Sequence, residues 1–387
     1  MGKNIVICCD GTGNQIEENL SNVLKLFRVC RKNDAQRVYY NAGVGTVGSS
    51  DAWARYRQNV KSVFELATGH GLDDDVLGPY DFLCRNYEKG DQIFLFGFSR
   101  GAYTVRVLAA FVHVVGLLPV DQLNIANYAF RAFKQTSKEG EFTISWHFAK
   151  IAGSNTRVRI KFLGIWDTVS SIITPRPDRL VPQLQMLVHT RTNPSVEIVR
   201  HAMAIDERRA MFRLNRWIEP QPFKRNPFDK KAPATLQDIK QVWFAGCHSD
   251  VGGGYPEAES GLAKFPLDWM LREAKASGLS VNTPMWNHIV LGKPRMGAKT
   301  VYVRPDHKAR AHDSLTWGWQ PLEYVPKDAK WMEWPRRRLG GLYLPLAEPR
   351  MIDNDAVVPR IHKSVVDRRS DTDYDPVNFP KKYEIEA

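Results

Sequence analysis

Ser99 lies in Gly97-Phe98-Ser99-Arg100-Gly101, a G-x-S-x-G. A serine hydroxyl is a weak nucleophile at neutral pH. It needs a neutral histidine to take its proton, and a buried carboxylate to orient that imidazole and steady the imidazolium. Asp167 follows the apolar run RVRIKFLGIW, and His248 follows QVWFAGC. Ser99, Asp167 and His248 therefore each stand just after an apolar run, and together they could hydrolyse an ester through an acyl-serine. Asp250 is a second candidate for the acid, and His362 in IHKSV is a second candidate for the base. The oxyanion of such a reaction needs two backbone N–H donors. Arg100 supplies one, and the Asp10–Gly13 loop supplies the other through Gly11 or Thr12. Gly11 and Gly13 allow close backbone approach, while Asp10 braces the loop.

The elements that must position these residues read as alternating strands and helices. Ile93–Phe98 carries no charge and follows a Gly90-Asp91 turn, as a strand buried on both faces would. Ala102–Val115 then reads as an apolar helix. Strand, tight serine turn and helix form the nucleophile elbow of α/β-hydrolases, whose chain order is also Ser, acid, His. Gly97 and Gly101 stand where strand and helix crowd. The helix N-terminus favours a developing negative charge. Asn4–Cys9, Arg37–Asn41, Arg157–Trp166 and Gln241–Cys247 are the other expected strands. Leu20–Cys30, Ala52–Thr68, Asp75–Tyr87 and Leu262–Ala276 are the expected helices. The pattern predicts an α/β-hydrolase-like fold with a mostly parallel central sheet flanked by helices. Residues 1–280 form the hydrolase domain. Within it, about 174–238 reads as a helical and irregular cap insertion, with Pro194–Arg216 helical. Residues 281–387 read as a C-terminal extension packed on the core.

The chain has 387 residues and a formal net charge of +12, which favours an anionic partner such as an acidic membrane surface. The basic residues are dispersed and no nucleic-acid motif accompanies them, so a nucleic-acid partner is not expected. Cys8, Cys9, Cys30, Cys84 and Cys247 show no C-x-x-C spacing, which speaks for a reducing compartment. The opening MGKNIVICCDGT has no signal-peptide pattern, and no apolar run is long enough to span a bilayer. The expectation is a protein cytoplasmic as synthesised. Gly43–Gly48 matches G-x-G-x-x-G by its letters, but it follows a polar second strand and is discounted as a dinucleotide site. Two other classes stay open: a metal-dependent phosphoesterase built on Asp10, His248, Asp250 and the Asp73–Asp75 run, and a catalytically inactive binding module. Oligomeric state is not legible.

Six ordered motifs, CDGTGN at Cys9–Asn14, YNAGVGT at Tyr40–Thr46, GFSRGAYTVR at Gly97–Arg106, GIWDTV at Gly164–Val169, HAMAIDERRAMF at His201–Phe212 and GCHSDVGGGY at Gly246–Tyr255, resemble the α/β-hydrolase domain of class 1 type VI secretion lipase effectors and related bacterial and fungal proteins. The resemblance spans about Ile5 to Leu279. It implies a phospholipase with a Ser-Asp-His triad, falling on Ser99, Asp167 and His248. It also implies a lipid or other ester substrate, no metal or organic cofactor, and export by a type VI system. The effectors often carry large membrane-binding additions, whereas this chain has only a short C-terminal extension.

Overall fold

The computed structural model describes residues 2–11, 19–43, 72–139, 158–169, 173–176, 179–184, 187–224, 233–317, 319–329, 332–334, 338–353 and 357–387. Thr12, Gly13, most of the Gly43–Gly48 loop and the helix expected over Ala52–Thr68 lie outside the described residues. Eight strands form the central sheet: β1 (Asn4–Cys9), β2 (Gln36–Asn41), β3 (Gln92–Phe98), β4 (Ile160–Trp166), β5 (Val196–Ala204), β6 (Asp238–Phe244), β7 (Arg360–His362) and β8 (Glu384–Glu386). Their spatial order is β8-β7-β6-β5-β4-β3-β1-β2, and every neighbouring pair is parallel. This is an α/β fold of the hydrolase-like type, with a parallel central sheet between helical layers.

Alternate residues of the strands feed two cores. Ile5, Ile7, Ile93 and Leu95 face helices α2 (Leu72–Asn86), α3 (Arg100–Val115) and α4 (Ala126–Glu139). Val6, Cys8, Phe94 and Phe96 face α1 (Asn22–Val29) and the helices that follow β6. With both faces covered, the inner strands must be apolar almost throughout, which is why the charge-free runs were readable as strands. All five cysteines are buried and free. A third, smaller cluster joins Met203 and Trp243 to Ile352, Ile361 and Val365 of the C-terminal residues.

One expected element is corrected. Pro194–Arg216 was expected to be helical, but Val196–Ala204 is β5, an interior strand of the sheet that runs through the stretch read as a cap. Its polar residues hid the strand pattern because their partners are distant in sequence. Arg200 pairs with Asp238 and Glu273, and the His201 Nε2 accepts from the Thr168 N–H at 3.3 Å. Elsewhere in that stretch, Ile173–Arg176 and Arg179–Leu184 form a separate hairpin. The weakly periodic C-terminal residues contribute β7 and β8 to one sheet edge, with the helix Lys363–Asp371 between them in the chain.

The strand order reverses between β1 and β3, and the carboxyl ends of strands at such a reversal are where open α/β sheets place ligands. Gly101 sets how closely α3 approaches that point. A Cβ there would run into the Cys9 carbonyl oxygen and stand 2.6 Å from that of Asp10. Gly101→Ala should therefore lower the unfolding free energy by about 1–3 kcal/mol. Gly341→Ala, where a Cβ meets open space, should leave it nearly unchanged. Urea denaturation of the two variants makes the comparison.

Candidate active site

Ser99 occupies the turn between β3 and α3 with φ 57° and ψ −119°, a conformation a non-glycine residue adopts only when its surroundings impose it. Its N–H donates to the Trp166 carbonyl at 3.2 Å, which ties the turn to the end of β4. On the other side Gly11 comes so close that a Cβ there would lie 3.2 Å from the Ser99 Cβ. Asp167 follows β4, also at positive φ (38°), and its N–H donates to the Ala202 carbonyl at 2.8 Å. His248 follows β6 and opens the short helix α5 (His248–Gly252). Its Nδ1 lies 2.5 Å from Oδ2 of Asp167.

Both partners are buried, Asp167 with no exposed surface and His248 with 4 %. Phe98 and Phe212 pack on the His248 imidazole at 4.6 and 4.9 Å between ring centroids. Burial pulls the His248 pKa below the usual histidine value, and the Asp167 carboxylate offsets this only in part. Burial pushes the Asp167 carboxyl up, but the Arg350 charge and the bonds to His248 and Arg350 outweigh it and hold the acid well below the usual carboxylate range. The pair thus presents a neutral imidazole to an ionised acid at neutral pH. With Nδ1–H directed at the carboxylate, the lone pair of that imidazole sits on Nε2, the arrangement a general base requires.

The remaining sequence candidates separate. Arg100 is the first residue of α3, so its N–H lies in the first turn, at the positive end of the helix dipole. Gly11 lies beside Ser99, but its N–H is donated to Asp10 Oδ1 at 2.7 Å, a bond that was not expected of an oxyanion donor. Asp10 also accepts from the Ser21 hydroxyl and from Tyr40 Oη at 2.8 Å, which fixes the loop to α1 and β2. Asp250 turns away from the imidazole. It accepts from the Cys247 N–H at 3.0 Å, which shapes the turn before His248, and bonds His312 Nδ1 at 2.7 Å. His362 caps the following helix through Ser364. Asp73 pairs with Lys134. Asp10, His248 and Asp250 thus serve three different partners, and among the described residues no group of three or more His, Cys, Asp or Glu gathers where it could hold a metal.

Residues 3–273 match the family described as type VI secretion system, phospholipase effector Tle1-like, catalytic domain. The chain belongs to this family. It is also 34 % identical over 227 residues to an uncharacterized protein of Saccharomyces cerevisiae, a match covering 55 % of this chain and 32 % of the yeast protein. Two solved structures are similar in part. One is an uncharacterized protein from Pseudomonas aeruginosa, at 18 % identity and a TM-score of 0.38, covering 74 % of this chain and 47 % of that one. The other is a Tle1 effector bound to the VgrG spike of the type VI secretion system, at 19 % identity and a TM-score of 0.31, covering 68 % of this chain and 53 % of that one. The chain thus spans about a third of the yeast relative and about half of each solved chain. Among the described residues no single helix is long and apolar enough to cross a membrane.

Three residues beside the dyad of this Tle1-like domain were not singled out from the sequence. Glu207 is buried and accepts from the His248 N–H at 3.2 Å and from Arg209 Nε at 2.9 Å. Burial would raise its pKa, but Arg209, Arg350 and His248 bring it down to about 2. Phe212 packs on His248 and also carries Arg209, the guanidinium carbon 3.6 Å from the ring centroid. Both lie in the HAMAIDERRAMF motif, so the motif itself was the available signal. Arg350 lies beyond the matched residues in a region of weak periodicity, and no spacing pointed to it.

His312 ties the C-terminal residues to the turn that presents His248. It bonds Asp250 and also Glu259, at 2.8 Å through Nε2, and stacks on Tyr255 with centroids 3.6 Å apart. Burial lowers its pKa, but the two carboxylates outweigh burial and raise it above the usual value. A raised folded-state pKa gives stability that is fully present below about pH 6.5, the unfolded value, and is lost as pH rises through the folded value. The stability gap between wild type and His312→Gln should accordingly be wider at pH 6 than at pH 9, read by urea unfolding at both pH values.

Proposed function

We propose that the chain is a serine ester hydrolase of the phospholipase type, cleaving a carboxylic ester of a lipid. The observation that carries this reading is the buried Asp167–His248 pair, 2.5 Å apart, at the end of the strand whose Trp166 carbonyl accepts from the N–H of a strained Ser99. In the proposed reaction His248 Nε2 takes the proton of the Ser99 hydroxyl as its oxygen attacks the ester carbonyl. Asp167 holds Nδ1–H and steadies the imidazolium. The tetrahedral oxyanion forms at the N-terminus of α3, where the Arg100 N–H and the helix dipole favour negative charge. A second donor comes from the β1 loop, at Gly11 once its N–H leaves Asp10 or at Thr12. The imidazolium then protonates the leaving alcohol. A water activated by His248 hydrolyses the acyl-serine by the same steps in reverse.

Membership of a phospholipase-effector family supports a phospholipid substrate, and the same membership supports passage through a type VI system. The net charge of +12 supports an anionic membrane surface as the place where substrate is met.

Ser99→Ala and His248→Ala should each lower kcat by about 10³-fold or more with the fold intact. A fluorophosphonate probe should label wild type on Ser99 and leave Ser99→Ala unlabelled, and EDTA should leave the rate unchanged. Activity that survives Ser99→Ala but is lost in EDTA and restored by a divalent ion would transfer the chemistry to a metal enzyme. The membrane part has its own measurement, a salt series on two substrates. Raising ionic strength towards physiological values, where the Debye length is about 8 Å, should slow attack on anionic vesicles and hardly change hydrolysis of a neutral short-chain ester. Equal responses would remove the membrane surface and keep the esterase.

A further inference from the structure

The Asp167 carboxylate makes more bonds than a nucleophile-base-acid set needs. The Ala204 N–H donates to Oδ1 at 2.9 Å. Arg350 forks onto both oxygens, with Nη1 2.5 Å from Oδ1 and Nη2 3.0 Å from Oδ2. The same two nitrogens donate to the carbonyls of Ala204 at 3.1 Å and Phe212 at 2.6 Å. The guanidinium is therefore fixed in its plane by four bonds, on a residue only 5 % exposed. Its own backbone is fixed in turn. The Arg350 carbonyl accepts from Asn378 Nδ2 at 2.9 Å, and the Met351 N–H donates to Glu333 at 2.9 Å. Arg350, Glu333 and Asn378 all lie beyond residue 273, outside the stretch that matches the family.

Resting on the serine-hydrolase reading, we infer that Arg350 is a positioning residue of the reaction: it holds both oxygens of Asp167 in one orientation and balances the acid's buried charge, so that the C-terminal residues complete the active site. The physical consequence concerns His248. With Arg350 present, the Asp167–Arg350 pair is neutral, and protonating the imidazole adds an uncompensated positive charge to a dry site. Without Arg350, the imidazolium would form an ion pair with Asp167 alone and be favoured. The other charged groups facing His248 are Glu207, which takes its N–H, and Arg209, which packs on Phe212, and these two pair with each other. Asp250, on the helix of His248 itself, is taken up by His312. Arg209 is the cation that lowers His248 directly, and Arg350 acts on it through the Asp167 carboxylate that it binds. A lysine would restore the charge but not the fork, because an ammonium is a point donor that cannot hold two oxygens in a plane.

The test reads His248 directly and needs no turnover. In the Ser99→Ala background, with histidine isotopically labelled, NMR titration should show the His248 pKa rising by about one unit or more in Arg350→Gln, the usual scale for removing a charge close to a titrating group. Arg350→Lys should move it less. In the active enzyme, the acid limb of kcat/KM on a soluble short-chain ester should shift upward with the titration in Arg350→Gln. Arg350→Lys should lower kcat on the order of tenfold or more with KM little changed, as a misoriented base would. A folded Arg350→Gln whose His248 titration and acid limb match wild type overturns the inference, even if its kcat is lower, because a merely structural tie predicts that result. If Arg350→Gln does not fold, Arg350→Lys decides, and wild-type kcat in that variant overturns the positioning role. A wild-type enzyme that the fluorophosphonate leaves unlabelled at Ser99 would instead reject the serine mechanism, while a shifted His248 titration would still support the coupling of Arg350 to the Asp167–His248 pair.

Discussion

A carboxylate with no exposed surface lies at the centre of this molecule, and the structure around it is arranged to keep it ionised. Removing a lone carboxylate from water costs several kcal/mol even after relaxation, so Asp167 can stay charged only if cations and N–H groups surround it. Arg350 and His248 bond both of its oxygens, and the Ala204 N–H completes the set. These partners come from β5, from the turn after β6 and from the C-terminal residues. One buried charge thus draws three distant parts of the chain to the same point.

The sheet makes that convergence geometrically possible. Its strands are parallel and in register, so their carboxyl ends share one edge: Cys9 stands beside Gly97, Phe98 beside Trp166, and Trp166 beside Ala202. Residues that follow those ends, Asp10, Ser99, Asp167 and, one strand further, His248, emerge together. The glycines flanking Ser99 are required by the same crowding. A side chain at Gly97 would strike the backbone of Gly101, and one at Gly101 would strike the end of β1. Strain at Ser99 is then maintained by packing on both sides of the elbow.

A second tier of buried polar groups holds the His248 turn. Glu207 accepts its N–H, Ser314 donates to both Glu207 oxygens, and Asp250 links the Cys247 N–H to His312. The bonds of Ser314 and His312 join the family-matched residues to the C-terminal ones. A buried polar network is stabilising only when its members are satisfied together, so this part of the chain behaves as one unit with the site it borders.

The sequence by itself determined the parallel α/β architecture, because strands covered on both faces must be apolar runs, and such runs are visible at Ile93–Phe98 and at the ends of β4 and β6. It also placed Ser99, Asp167 and His248 immediately after such runs, which is a local property of the chain. It could not show β5, whose Arg200 and His201 break the apolar run and find partners only across the sheet. Nor could it choose between the carboxylates of Asp167 and Asp250 as the neighbour of His248, since both are close to strand ends in the sequence. Only the tertiary structure put Asp167 at the imidazole and turned Asp250 towards His312. Arg350 lay furthest from view. A bond between residues 183 positions apart leaves no periodicity or motif in the chain, because it depends on where two backbones meet and not on what precedes or follows either residue.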